Sequence, residues 1–150
     1  MGVRITYSVP IDVGIEEAVE NIRQQVESRS YKAANELRNS SFEILRGQRG
    51  GRRYRIPGKK TYYTASAPGE PPAMRTGLFR ISWHPTALKE GNTYISRVES
   101  NRRTNKGKYL LGEILEEGTP GGQMAPRPHQ KKILEHAEPE IVRIYSEPYD

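Results

Sequence analysis

At 150 residues the chain has the length of one domain, but only 34% of it is hydrophobic, against roughly 45–50% in a typical globular chain, so one modest core must leave some segments to water or to another chain. The absence of cysteine excludes disulfides, thiolate metal sites and thiol nucleophiles, and no apolar run approaches the roughly 18 residues of a membrane span. The net charge of +6 is concentrated: residues 46–60, RGQRGGRRYRIPGKK, hold seven Arg or Lys and no acid, which leaves −1 for the remainder.

Val3, Ile5, Tyr7 and Val9 alternate and predict a short strand over 3–9, ended by Pro10. The segment MGVRITYSVPID carries no signal-peptide apolar region. Asp12 is a candidate N-cap, with Glu16, Glu17 and Glu20 where the helix dipole favours acids. Apolar residues then recur at Ile15, Ala18, Val19, Ile22, Val26, Ala33, Leu37, Ile44 and Leu45, which predicts one amphipathic helix to about residue 45. Ser28-Arg29-Ser30-Tyr31 is a weak middle at which a bend is expected. Gly47, Gly50 and Gly51 stop the helix.

Residues 46–75 read as one long extended arm, a length that in a compact domain signals function. A hairpin around Pro57-Gly58 joins Arg53–Ile56 to Thr61–Thr64. Thr76 is the expected N-cap of a short helix, Gly77–Ser82. Strands are predicted over Trp83–Leu88 and Thr93–Ser100, the second alternating as a half-exposed strand does. NRRTNKGK, residues 101–108, is a second basic cluster with four cations. Leu110, Leu111, Ile114 and Leu115 share a helical stripe within Tyr109–Glu117, expected as core. A loop over 118–122 follows, then a last helix from about His129 to Tyr145, with a kink expected at Pro139. The pattern is that of a single α+β domain over 1–150: a long N-terminal helix on a small antiparallel sheet, short C-terminal helices and the arm at 46–75.

The residues do not converge on catalysis. His129 and His136 on one helix would lie about 10.5 Å apart, too far to share a metal. Glu116 and Glu117 are adjacent and point apart in a helix, so both read as solvated helix end. Ser66 lies in Ala-Ser-Ala, without a nucleophile elbow. The chain is expected not to be an enzyme and to use no cofactor and no metal. Trp83 reads as core or rim rather than as a binding hot spot. Nine tyrosines against two phenylalanines suit half-buried surfaces and interfaces. The basic arm has three readings: a nucleic-acid-binding segment with Tyr54 for stacking, a solvated loop, or an arm that folds against an acidic partner.

The stretch ASAPGEPPAMRTGLFRISW carries more than composition. Ala67-Pro68-Gly69-Glu70-Pro71-Pro72, followed by Thr76-Gly77, Leu78, Arg80 and Ser82, resembles a recurring motif of tailed-phage head–tail connector proteins, also labelled minor capsid or tail-completion proteins. Their second signature is matched by Leu115-Glu116-Glu117-Gly118-Thr119 and Met124-Ala125-Pro126-Arg127-Pro128-His129, with His129 where the family carries Phe, a departure expected to weaken packing there. The two signatures occur in the family's order, and with the long helix the resemblance covers most of the chain.

The resemblance implies a structural virion protein, made in the bacterial host cytoplasm. It would form a homo-oligomeric ring, commonly of six subunits, at the neck or the head-proximal end of the tail. Its partners would be the tail tube protein and the head connector or stopper proteins, with the DNA in the channel as a further contact and no membrane. Contacts between subunits or to partners are then expected from Arg49, Arg52, Arg53, Tyr54 and Arg55 in the basic arm. Tyr62, Tyr63, Pro68, Pro71 and Pro72 would act in the strap that follows, Leu78 and Phe79 on the short helix, and Met124 and Arg127 in the second signature. The proline-rich strap has little conformational entropy left to lose on binding. The arm is expected to be mobile in a monomer and ordered in a ring. The rival expectation is a nucleic-acid-binding module using 46–60 and 101–108.

Overall fold

A computed structural model describes residues 2–8, 16–104 and 106–150. Strand β1 (Gly2–Ser8) is followed by helix α1 (Glu16–Ile44), a hairpin of β2 (Arg53–Arg55) and β3 (Tyr62–Thr64), and the single-turn helix α2 (Leu78–Ile81). Strands β4 (Trp83–Glu90) and β5 (Thr93–Ser100), then helices α3 (Leu111–Glu117) and α4 (Gln130–Ser146), complete the chain. This is the α+β arrangement read from the sequence. The Asp12 cap and the Pro10 strand end lie outside the described residues.

The three-stranded sheet has the order β1-β5-β4, antiparallel throughout. The register pairs Val3 with Val98, and Val98 with Pro85. Pro85 lacks an N–H to give to a ladder, and β4 is an edge strand, where that costs least. One face of the sheet is covered by α1 and α4, which also pack on each other. The core lies between these layers: Val3, Val98 and Trp83 from the sheet, Ala33, Leu37 and Leu45 from α1 and its end, and Ile133, Ala137 and Ile141 from α4. β5 is more buried than its alternation suggests. Its central place sends Tyr94, Ser96, Val98 and Ser100 inward, and Ile95 on the other face is also buried, between Thr6 and Leu88.

α1 is helical through Ser28–Tyr31, where Arg29 and Ser30 are buried. Ser30 Oγ donates to the Glu27 carbonyl, and the Ser30 carbonyl accepts from Ser96 Oγ at 2.7 Å. Small side chains there let the helix sit close on the sheet. α4 carries Pro139 within its span. Pro139 is on the exposed face, where the carbonyl that loses its helical partner can bond water instead.

Arg29 is the residue whose role the sequence hid. Its guanidinium is buried and donates to the carbonyls of Tyr145, Glu147 and Pro148, and it lies 3.9 Å from the centre of the Tyr149 ring. It thereby satisfies carbonyls at the C-terminus of α4, the helix end that favours a cation. Tyr7 stacks on Tyr145 at 4.4 Å, and the Tyr149 hydroxyl lies 3.3 Å from that of Tyr7. Burial, then the contact with Tyr7, pushes the Tyr149 hydroxyl up to about 12. Four of the nine tyrosines, Tyr7, Tyr94, Tyr145 and Tyr149, thus serve an internal cluster. Among the described residues no helix is long and apolar enough to cross a membrane.

Candidate docking groove

The chain leaves α1 through the buried Leu45 and enters the arm, which is folded back on its own chain at the base. Arg49 is the main tie. Its Nε donates to the Pro71 carbonyl at 2.7 Å, and its Nη2 donates to the carbonyls of Ile44 at 2.7 Å and Pro72 at 3.2 Å. Glu70 is the second tie. Its carboxylate accepts from the amides of Ala67 at 2.7 Å and Gly50 at 3.0 Å. These two amides, Ala67 first, hold the Glu70 carboxyl below its ordinary range, helped by the charges of Arg49 and Lys132. Ala67-Pro68-Gly69-Glu70 is a turn closed by the Glu70 amide on the Ala67 carbonyl, with Gly69 at φ 85°, a conformation that favours glycine.

The turn rests on the far end of the molecule. The Gly69 amide donates to the Pro126 carbonyl, Lys132 Nζ to the Gly69 carbonyl at 2.9 Å, and Arg127 Nε to Ser66 Oγ at 2.8 Å. Arg49 and Arg127, expected as contacts to other chains, therefore have guanidiniums already engaged within this one. Pro72 is buried, Pro71 half-buried and Pro68 exposed. The proline-rich strap first serves its own chain: it spans from the end of α1 to the start of α4.

Beyond the base the arm is the hairpin. The Gly51 amide bonds the Ala65 carbonyl and the Ala65 amide bonds the Arg52 carbonyl, so the strands enter in register. A side chain at residue 51 would put a Cβ 2.4 Å from the Ala65 carbonyl oxygen, which is why glycine stands there. Arg52, Arg53, Tyr54, Arg55 and Tyr62 are exposed, while Tyr63 is half-buried. Arg53 lies over the Tyr62 ring at 4.7 Å and Arg52 over the Tyr54 ring at 5.6 Å, so hydrophobic ring faces are screened by cations.

α2 closes the segment. Its cap is Gly77, one residue later than expected, and Thr76 contributes its hydroxyl as acceptor for the Leu78 amide at 3.3 Å. Phe79 turns inward to meet Trp83 and His129 edge-on, with all three ring pairs 5.7–5.8 Å apart. Leu78 and Ile81 stay exposed. His129 is thus a full member of the aromatic cluster, contrary to the weak packing expected of it. Its Nδ1 lies 2.9 Å from both the Arg127 carbonyl and a Glu116 carboxylate oxygen, so Nδ1 carries the proton and Nε2 is a buried lone pair with no partner among the described residues. Burial pushes the imidazole below its ordinary pKa, against the opposing pull of Arg127 and Glu116, and the neutral ring follows. Glu116 also accepts from the amides of His129 and Gln130. It caps α4, a role missed when it was read as solvated helix end.

These elements enclose a groove of about 1050 Å³. Its apolar lining includes Leu45, Met74, Leu78, Phe79, Ile114 and Leu115. Its cations come from three segments: Arg75 and Arg80 from the strap and α2, Arg102, Arg103, Lys106 and Lys108 from the basic turn, and Arg127 from before α4. No carboxylate lines it among the described residues. Arg80 and Arg103 donate to carbonyls of Phe42 and Gly107. The stripe of α3, expected as core, thus turns Ile114 and Leu115 half-buried toward the groove. The sequence named the basic turn but did not bring it to α2. A signal was present: 71–89 and 100–112 are both free of Asp and Glu. Among the described residues no group of three or more acids and histidines is placed to hold a metal.

No protein-family model matches the chain, and neither a curated protein nor a solved structure matches it significantly.

Proposed function

We propose that the chain is a structural subunit of a phage neck or tail end, which associates with its own copies into a ring joining the tail tube to the head connector. The observation that carries this reading is the run of exposed large apolar side chains along one segment: Tyr54, Tyr62, Met74, Leu78 and Ile81. They extend from the hairpin to α2, on a segment tied at its base by Arg49 and Glu70. A soluble chain with little apolar content gains nothing by leaving these residues in water, whereas an interface uses aromatic, Met and Arg side chains. The likeness of residues 67–82 and 115–129 to the connector motifs supports the same reading. The hairpin, with Arg52, Arg53 and Arg55 exposed, is the part that reaches an adjoining acidic ring or the DNA in the channel.

Light scattering and negative-stain imaging of the protein, alone and with tail tubes, test the proposal. Rings, or a cap on one end of each tube, are expected. The basic groove favours one rival, a nucleic-acid-binding module. That rival requires affinity for free DNA that falls steeply with salt, and an R52A/R53A variant that binds all sequences less well. A monomer that ignores tubes and behaves in that way overturns the ring.

A further inference from the structure

The groove is basic and apolar at once, and one other surface of the same chain is its complement. The first two turns of α1 carry Glu16, Glu17 and Glu20, all exposed, and no cation before Arg23. Ala18 and Ile22 on these turns are exposed and Val19 half-buried, and burial begins only at Val26. Among the described residues this apolar stripe has no cover comparable to that of the later turns. The half-charge at a helix N-terminus, about +0.5, is small beside three carboxylates, so this end of the molecule is acidic.

The two surfaces cannot meet within one chain. Leu45, just past the last turn of α1, lines the groove, and the 29 residues of α1 separate it from the acidic end by about 43 Å. A contact between them joins different copies, and it is heterologous: each copy gives its acidic end and its groove to different neighbours. Such contacts close into rings or run on as filaments.

Resting on the ring reading, we infer that the groove of one copy receives residues 16–22 of α1 from the next copy. Ile22 and Val19 lie against Met74 and Leu78, and Glu16, Glu17 and Glu20 face Arg75, Arg102 and Lys106. The last three have no side-chain hydrogen bond or ion pair to another described residue. Other occupants fit less well. The basic hairpin of a neighbour would bring like charges together. A nucleic acid backbone would neutralise the cations but leave Met74, Leu78 and Ile114 without apolar partners.

The chain has no cysteine, so engineered thiols report without background. Ile22 and Leu78 are exposed, and their substitution leaves the core intact. A chain carrying both I22C and L78C is expected to give a ladder of covalent multimers on mild oxidation. An equimolar mixture of the two single variants is expected to stop at the dimer. A triple E16K/E17K/E20K variant is expected to lose assembly, and addition of R75E/R102E/K106E in the same chain to restore it. Rings by light scattering without a ladder overturn the inference and leave the ring reading standing. A monomer without cross-links up to the solubility limit overturns both. A single-stranded oligonucleotide that shields the L78C thiol while the chain stays monomeric assigns the groove to nucleic acid and also overturns both.

Discussion

Arg29 and His129 show how single buried polar side chains fix this fold. Arg29→Ala would leave the carbonyls of Tyr145, Glu147 and Pro148 without their donor and should destabilise the chain by about 2–4 kcal/mol. Arg29→Lys should recover less than half of that, since one ammonium cannot reproduce a planar fork over three acceptors. Denaturant titration of the two variants checks this. His129 makes stability depend on pH. Burial holds the folded imidazole below its ordinary value, so below about pH 6.5 the unfolded chain binds a proton that the folded chain refuses. The contribution is fully present above that pH and falls as pH drops. A His129→Phe variant should lose this dependence below about pH 6.5, as measured by thermal unfolding across pH.

At the scale of elements, the strap is governed by a few ties rather than by regular secondary structure. Glu70 holds the amides of Gly50 and Ala67 across the base of the hairpin. Glu70→Ala should therefore speed tryptic cleavage at Arg52 and Arg53 while the helices and main sheet stay protected. The expectation of an arm that is mobile until the ring forms predicts equally fast cleavage in both proteins, so the comparison decides between them. Because hydrogen bonds hold the Glu70 carboxyl low, its tie is present above the ordinary carboxyl pKa of about 4.3 and is lost as pH falls through the folded value. An acid-active protease, applied to samples held above and well below that value, should cut the hairpin first in the more acidic one.

At the scale of the molecule, charge is arranged along the axis of α1. Acids stand at its start, while the groove and hairpin at its far end are basic. Head-to-tail association of such a molecule should weaken with salt, because the Debye length shrinks from about 10 Å at 0.1 M to about 3 Å at 1 M. Sedimentation across that range measures it: mass should fall with added chloride. A purely apolar interface would hold its mass or gain it.

The order and type of the elements were legible in the amino-acid sequence, since the 3.6-residue period of α1 and α4, the alternation in β5 and the glycine and proline stops are local. So were the concentration of cations in 46–60 and the two motif-like stretches. Tertiary structure alone decided what those residues touch. Arg29 looked like part of a weak helix until the C-terminus met it, Glu116 like a solvated end until α4 began beside it, and Arg49 like a free cation until the prolines folded over it. The groove belongs to the same class. Its cations come from segments some 25 residues apart in the chain, and no local period links Arg75 to Arg102 or to Arg127. Proximity between such segments is set by packing on a common core, which a linear pattern does not encode.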